Sequence, residues 1–320
     1  MASTVVGDPL APPGRLRTPV AGGASLALRA PLRRPRSAAR VIAAFPSALY
    51  LRLRSETEPR VVALVSSDAA RPPNSIVVSA PARDLPFGAA REGDEAWVGE
   101  GLVDIAGPAH AGGSGTSPRI RVKVRRWWDP SPALGPLSPV DIAQGLLVLE
   151  SETAGAACGL AEHPGPRILA ERCAEGDLAY AVDAAERIVG LGPGLTPSGD
   201  DVLAGLLLSL RVFGTSLPCG ETAIWLADWL GAAVTAHADT RTTPLAATLL
   251  HCAALGQAGT ELAAVLHGMA GRCPLQPAVR RLLGVGHTSG ADLAWGVLAG
   301  CRAALALEAT AVARPGKALA

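Results

Sequence analysis

The stretch Gly190-Leu-Gly-Pro-Gly-Leu-Thr-Pro-Ser-Gly-Asp-Asp-Val-Leu-Ala-Gly205 joins a glycine-rich turn to two acidic residues and an apolar run. Glycine tolerates positive φ and lets the backbone approach a ligand closely, whereas proline restricts the turn. Ser198 stands three residues before Asp201, the spacing of a capping box, which predicts a helix with Ser198 as its N-cap. The free amides of a helix start favour a bound phosphate or carboxylate. The stretch therefore predicts an anion-binding loop, and a capped turn without a ligand is the alternative.

A second stretch, Gly286-His-Thr-Ser-Gly-Ala-Asp-Leu-Ala-Trp-Gly296, repeats part of the first. Residues 198–205 and 289–296 share the pattern Ser-Gly-x-Asp-aliphatic-x-x-Gly. Two loop-to-helix turns of the same composition predict either a pseudo-symmetric pair of helical units or two half-sites that meet at one pocket.

Together the two motifs resemble the signature of a bacterial family whose named member is the AllH subunit of oxamate carbamoyltransferase, from allantoin and purine catabolism. The resemblance runs from about Val41 to about Leu307. It implies a transferase subunit that acts with other protein subunits in carbamoyl transfer between carbamoyl phosphate and oxamate, giving oxalurate and phosphate. The chain has Thr288 where the family more often has Ser, and it carries an Arg-rich leader. These departures leave the acceptor open to be oxamate or a related small amide or carboxylate.

Carbamoyl transfer needs a phosphate cradle, donors that polarise the carbonyl group and a group that orients the attacking nitrogen. For catalysis we select Asp200, His287 and Arg241; Arg241 stands in a polar turn before a helix that starts near Leu245, and the family resemblance raises it to a candidate. Asp201 and Asp292 are candidates for helix capping or for a metal, although the residues predict no defined metal site. The candidates for binding substrate or phosphate are the small and hydroxyl-bearing residues of both loops: Gly192, Gly194, Thr196, Ser198, Gly199, Thr288, Ser289 and Gly290.

Two other function classes fit the same residues. A small-molecule kinase or ligase would bind ATP with Mg²⁺, with Asp200 as a metal ligand. A non-catalytic subunit would hold an anion or act as a scaffold for partners. The sequence therefore leaves open whether the isolated chain is an enzyme, and Mg²⁺ is the cofactor of the kinase hypothesis alone.

Composition narrows the partners and the compartment. The 320-residue chain is 49% hydrophobic and has a formal net charge of +1, which argues against nucleic acid as a partner. No uninterrupted run reaches the ~18 apolar residues of a membrane span, so we expect no membrane association. Six cysteines occur without a Cys-x-x-Cys pair, which predicts free thiols in a reducing, cytoplasmic environment.

The order of patterns predicts an α+β fold, with a small N-terminal β-rich domain followed by a larger, mainly helical domain that carries the two glycine-rich motifs. We place a disordered Arg/Pro-rich leader at 1–38, the β-rich domain at 39–130, the helical domain at 131–310 and a disordered tail at 311–320. Basic and apolar residues alternate over 119–125. This pattern predicts an edge strand protected by charge or, alternatively, a cationic stripe facing a ligand or partner.

Overall fold

A computed structural model describes residues 19–106 and 118–313 of the chain. In this part of the chain, eight strands close into a barrel in the order β1-β5-β4-β3-β2-β6-β7-β8. The strands are β1 (Val20–Ser25), β2 (Ser37–Ala44), β3 (Ala48–Leu53), β4 (Val61–Val65), β5 (Ser75–Val78), β6 (Glu95–Gly99), β7 (Leu102–Ala106) and β8 (Pro118–Trp128).

The barrel closes because β1 pairs in parallel with β8 on one side and antiparallel with β5 on the other. Strands β4 and β5 also pair in parallel, and the remaining neighbours are antiparallel. Alternate side chains fill the interior, including fully buried Leu49, Leu51, Leu64 and Ile105. The barrel thus has its own hydrophobic core.

This barrel corrects the predicted fold class. The N-terminal part is a closed eight-stranded barrel in which the first described strand, β1, begins at Val20, not a small β-rich domain that begins at residue 39. Residues 20–38 contribute β1, the short helix α1 (Arg29–Arg33) and the start of β2, so they are not a disordered leader. The mixed small and basic composition of this segment concealed the strand, whose pairing partners are distant in sequence. The rest of the predicted leader, residues 1–18, lies outside the described residues.

Strand β8 was predicted as a charge-protected edge strand or as a cationic stripe facing a ligand, and the first of these interpretations is wrong. It pairs with β7 on one side and with β1 on the other. Its Arg121 donates from Nε to Asp104 Oδ1 at 2.7 Å, and Arg36 also binds Asp104. Burial raises the pKa of Asp104, but the two guanidinium groups outweigh it, and the net pKa is lowered. At Arg121, at least, the positive charge is engaged in an ion pair on the barrel.

The helical part begins after the barrel. Its helices are α2 (Pro139–Thr153), α3 (Pro164–Glu175), α4 (Leu178–Glu186), α5 (Ser198–Ser216), α6 (Glu221–Ala236), α7 (Ala238–Arg241), α8 (Pro244–Ala254), α9 (Thr260–Met269), α10 (Leu275–Leu283) and α11 (Ser289–Ala313). Helix α11 extends into the predicted tail as far as Ala313, and residues 314–320 lie outside the described residues.

Helices α5 and α11 form the centre of the helical core. Almost every residue of α5 is buried, which explains why its apolar residues are not confined to one face. The two helices cross closely because small residues face each other. A Cβ added to Gly205 would lie 2.3 Å from Leu293 O, and one added to Gly296 would lie 2.1 Å from Val202 O. These are the final glycines of the two repeated motifs, so the repeat encodes the helix crossing.

Among the described residues, α11 is the one helix that is long and apolar enough to cross a membrane by length and composition alone. Half of its most apolar window is buried inside the protein. Gly300 and Gly296 lie against α5 backbone atoms. This packing is that of a core helix in a globular protein.

Candidate functional site

The two repeated motifs meet at the N-terminal ends of α5 and α11. The Thr196 and Ser289 hydroxyl oxygens are 3.0 Å apart, and those of Ser198 and Thr288 are 3.5 Å apart. The repeat predicted either a pseudo-symmetric pair of helical units or two half-sites that meet. In the structure the loops of the two motifs lie side by side, as the second arrangement requires. We call the group Thr196, Asp201, Ser289 and Asp292 the motif junction.

The repeat is also visible in the backbone of each motif. The Gly199 amide donates to Leu191 O at 2.9 Å, and the Gly290 amide donates to Val285 O at 3.0 Å. A Cβ on Gly199 would lie 1.8 Å from Ile188 O. One on Gly290 would lie 1.9 Å from Leu282 O. In each motif the glycine therefore allows the start of the helix to pack directly against a backbone carbonyl group of the preceding segment.

The predicted capping box at α5 is wrong. The N-cap is Pro197, and no side chain caps the helix; Ser198 is its first residue. The amides of Asp200 and Asp201 both donate to Pro197 O, at 2.9 and 3.2 Å. Asp201 therefore does not act as a cap, and most of the first-turn amides are used inside the chain. Proline supplies the extended N-cap backbone, with φ −54° and ψ 141°, that a serine was expected to supply.

The glycine loop before α5 is nevertheless open to a ligand. Gly190, Gly192 and Gly194 all have positive φ, and Gly192 and Gly194 are exposed. Within the described residues, the amides of Gly192, Gly194, Leu195 and Thr196 donate no hydrogen bond to the chain. Successive free amides in a glycine-rich turn form a concavity that suits an anion. The anion-binding potential thus lies in the exposed loop rather than in the first turn of α5.

Asp200 supports this loop. Its Oδ1 accepts from the Gly190 amide at 2.9 Å, and its Oδ2 accepts from the Thr242 hydroxyl. Burial raises the pKa of Asp200, and both hydrogen bonds lower it in part. The Thr243 hydroxyl donates to Leu195 O at the far end of the loop. Sequence reasoning missed Thr242 and Thr243, whose position directly before α8 was the available signal.

Two other residues that we selected for catalysis, Arg241 and His287, form no hydrogen bond or ion pair with the motif junction within the described part of the chain. Arg241 donates to Glu186 O, and its Nη1 lies 3.9 Å from the Glu186 carboxylate. Its guanidinium is therefore engaged at the end of α4. His287 is exposed in the turn before α11. Neither side chain lines the cavity described next.

A cavity of about 300 Å³ lies between the barrel and the helical part. The barrel supplies Tyr50 and the segment 69–73, and the helices supply a wall that includes Leu208, Leu249 and Leu293. At one end stand Thr196, Asp201 and Ser289 of the motif junction, together with Gly286. The cavity therefore has a mainly apolar wall and a polar end at the motif junction, with Arg71, Gln257 and Glu261 also in its lining; a mainly apolar lining with a few polar groups is the usual form of a small-molecule site.

Asp201 is the charged group at this polar end. It is 5% exposed, and its Oδ2 has no hydrogen-bond partner among the described residues. Burial raises the pKa of Asp201 well above its ordinary value. Hydrogen bonds from Ser289 and Thr196 lower it in part, whereas the charges of Asp292 and Asp200 raise it.

Asp292 is the counterpart of Asp201 in the second motif. Its Oδ1 accepts from the Gly159 amide at 2.8 Å and from the Cys158 thiol at 2.9 Å, while its Oδ2 is unpartnered. Burial, followed by the hydrogen bond to Asp292, raises the pKa of Cys158 to about 12. Asp292 is fully buried and fixes the segment at Gly159 over the Ser198 and Thr288 pair. Like Asp201, Asp292 does not act as a simple helix cap.

The elevated pKa of Asp201 makes a prediction for stability. An acid whose pKa is higher in the folded state binds more protons when folded, so stability falls as pH rises from its unfolded pKa through its folded pKa. Replacing Asp201 with Asn removes this loss. We expect the free energy of unfolding of Asp201→Asn, relative to the parent protein, to increase with pH above about 4. Urea unfolding at a series of pH values measures the difference.

The exposed Asp84 provides the control for that experiment, because Asp84→Asn removes a charge without changing a buried site. A stability difference between Asp201→Asn and the parent that stays flat or shrinks as pH rises would contradict the interpretation of Asp201 as a destabilised buried carboxyl.

Comparison with known proteins bears on the region that carries both motifs. No solved structure matches the chain. All six cysteines are free, as the sequence predicted. The AllH family model, described as oxamate carbamoyltransferase subunit AllH, matches residues 188–301. This span is shorter than the predicted resemblance from about Val41 to about Leu307, and it contains both glycine-rich motifs. The predicted resemblance is confirmed over residues 188–301, where the chain is similar to the family described as oxamate carbamoyltransferase subunit AllH.

Proposed function

We propose that the chain is a subunit of a cytoplasmic carbamoyltransferase that transfers the carbamoyl group of carbamoyl phosphate to the nitrogen of oxamate or a related small amide. The observation that carries the proposal is the motif junction, where two hydroxyls and a buried carboxyl with a free oxygen stand at the end of a cavity. The family description, which names a subunit, supports the participation of other protein subunits.

In this proposal the glycine loop binds the phosphate group. The free amides of Gly192, Gly194, Leu195 and Thr196 supply donors without a positive side chain, as backbone nests do. Thr196 belongs both to this loop and to the cavity lining. A carbamoyl phosphate held by the loop would therefore have its carbonyl group close to the hydroxyls of Thr196 and Ser289, which would stabilise negative charge on the carbonyl oxygen.

Asp201 then receives a proton in the reaction. The acceptor nitrogen forms a bond to the carbamoyl carbon, the bond from that carbon to the phosphate oxygen breaks, and the acceptor's proton passes to the Asp201 carboxylate and on to the departing phosphate. A base works best when its pKa lies near the working pH. The raised pKa of Asp201 suits this role better than an ordinary carboxylate would.

The geometry gives less support to a kinase or ligase. That hypothesis requires Asp200 to bind Mg²⁺, yet one oxygen of Asp200 accepts from Gly190 and the other from Thr242. Among the described residues, no group of three or more His, Cys, Asp and Glu side chains is placed to hold a metal ion. We retain ATP with Mg²⁺ as an arm of the experiment.

The test is a thermal-shift titration of the full chain with carbamoyl phosphate, inorganic phosphate, oxamate, oxalurate and ATP with Mg²⁺. A ligand at ~100 times its dissociation constant adds about 2.7 kcal/mol of stability. We expect a shift with carbamoyl phosphate that is lost in Thr196→Ala. Thr215→Ala is the matched control, because Thr215 is exposed near the other end of α5 and its hydroxyl donates to Arg211 O in its own helix.

The other outcomes separate the alternatives. A shift with ATP and Mg²⁺ but not with carbamoyl phosphate would favour the kinase or ligase. A shift that appears only after the other subunits are added would identify a site completed by a partner. No shift under either condition would favour a scaffold subunit that does not bind the substrate.

A further inference from the structure

The cavity wall and the motif junction place different demands on a ligand. Apart from its polar end, the lining includes Arg71, Gln257 and Glu261, and the rest of the wall from α5, α8, α9 and α11 is formed mainly by hydrocarbon side chains, among them Leu208, Leu245, Leu249, Leu262 and Leu293. Oxamate carries a carboxylate and an amide and has no hydrocarbon group. A ligand of that composition would leave this wall unused, and apolar surface contributes to binding only when a ligand covers it.

The polar end also selects against a carboxylate. Asp201 lies there with an unpartnered oxygen, and the carboxyl groups of Asp292 and Asp200 are close enough to act on it electrostatically. A ligand carboxylate would bring a like charge toward these acids, which is unfavourable in a buried site. An N–H group would instead satisfy the free oxygen of Asp201.

Two hydroxyls at the same end distinguish an amide from an amine. Thr196 and Ser289 each carry one hydroxyl proton, and because one of the two hydroxyls donates to the other, at most one proton is available to a ligand. An ammonium group supplies donors alone and offers that proton no acceptor. A primary amide supplies N–H groups for Asp201 and a carbonyl oxygen for a hydroxyl, so it matches the whole polar end.

We propose that this cavity binds the acceptor as a primary amide with a hydrocarbon side chain, its N–H group against Asp201 and its side chain along the leucine-lined wall. This inference rests on the proposed function, because it identifies the acceptor of the same site. The proposed acceptor differs from oxamate in the part that extends toward the barrel, where it carries a hydrocarbon side chain instead of a carboxylate. The opposite wall presents Tyr50, whose ring makes an edge contact with Phe45 at 6.2 Å between centroids.

The experiment measures the affinity of the full chain, by calorimetry, for acetamide, butanamide and hexanamide, with carbamoyl phosphate titrated in parallel. Each buried methylene is expected to tighten binding roughly fourfold, equivalent to about 0.8 kcal/mol. Hexanoate, which matches hexanamide in length, is expected to bind at least about tenfold more weakly because of the acids at the polar end. In Asp201→Asn the difference in affinity between hexanamide and hexanoate should become smaller.

A second variant tests where the side chain lies. Leu249 is half-buried and lines the cavity, so Leu249→Phe should shorten the space and weaken hexanamide binding while sparing acetamide. Leu255→Phe is the matched control, because Leu255 is 56% exposed just beyond the end of α8. Circular dichroism of both variants checks that they are folded.

The outcomes for the two proposals can be told apart. If acetamide, butanamide and hexanamide bind with equal affinity and carbamoyl phosphate still binds, the acceptor inference is overturned and the proposed function stands. Increasing affinity for longer amides without carbamoyl phosphate binding would retain the cavity's ligand class and reject the transferase. Tighter binding of hexanoate than of hexanamide would overturn the assignment of Asp201 as the N–H acceptor.

Discussion

Replacing Gly296 with Ala is expected to destabilise the protein by about 3 kcal/mol or more, because the new Cβ would lie 2.1 Å from Val202 O. The obstructing atom is a backbone carbonyl oxygen of the buried helix α5, so no side-chain rotation can make room. Relief requires α5 and α11 to move apart, which opens the hydrophobic core around both helices.

Chemical denaturation of Gly296→Ala beside Gly155→Ala measures the effect. Gly155 lies in the turn after α2, and a Cβ there meets nothing within 4 Å, so its replacement should stay within about 0.5 kcal/mol of the parent. Equal stabilities for the two variants would show that the helix crossing does not depend on the glycine pair.

The second large effect concerns Asp201. Asp201→Asn should lower kcat for carbamoyl transfer by at least about 100-fold, because Asn preserves the shape of the side chain but cannot accept the acceptor's proton. Since the change is in a step of the reaction, KM should alter much less than kcat. Steady-state kinetics of the complete subunit assembly measures both values.

Asp200→Asn is the informative comparison, since the sequence placed catalysis at Asp200. We expect this variant to affect loop stability through Gly190 and Thr242 and to change kcat by a much smaller factor. The reverse pattern, with kcat lost in Asp200→Asn and retained in Asp201→Asn, would return the catalytic role to Asp200.

Sequence patterns predicted the helical part well, for reasons that are local. Segments that begin with a proline directly after a capping residue form helices, as at α2 and α8. Local sequence patterns could not predict closure of the barrel, because closure depends on the pairing of β1 with β8, about a hundred positions away in sequence.

The two motifs lie side by side, as one of the two arrangements predicted from the repeat requires, whereas the roles of their residues remain predictions. The two motifs lie together because their final glycines, Gly205 and Gly296, form the close contact between α5 and α11. The assignment of Asp201 as a cap failed because adjacent helical residues point in different directions, and the phase was set by Pro197 rather than by Ser198. The equivalence of Asp201 and Asp292 in the repeat was the signal that could have identified Asp201 as a junction residue.

The segment 69–73 closes the barrel side of the cavity. It is fixed to α9, where Thr260 donates to Arg71 O and Arg71 donates to Glu261. This segment lies outside the region matched by the family model, which holds the motif junction. The segment 69–73 therefore lines the cavity from outside the matched region, whereas the leucine-lined wall and the polar end lie within it. A substitution in this barrel connection can change the lining of the cavity without changing either glycine motif.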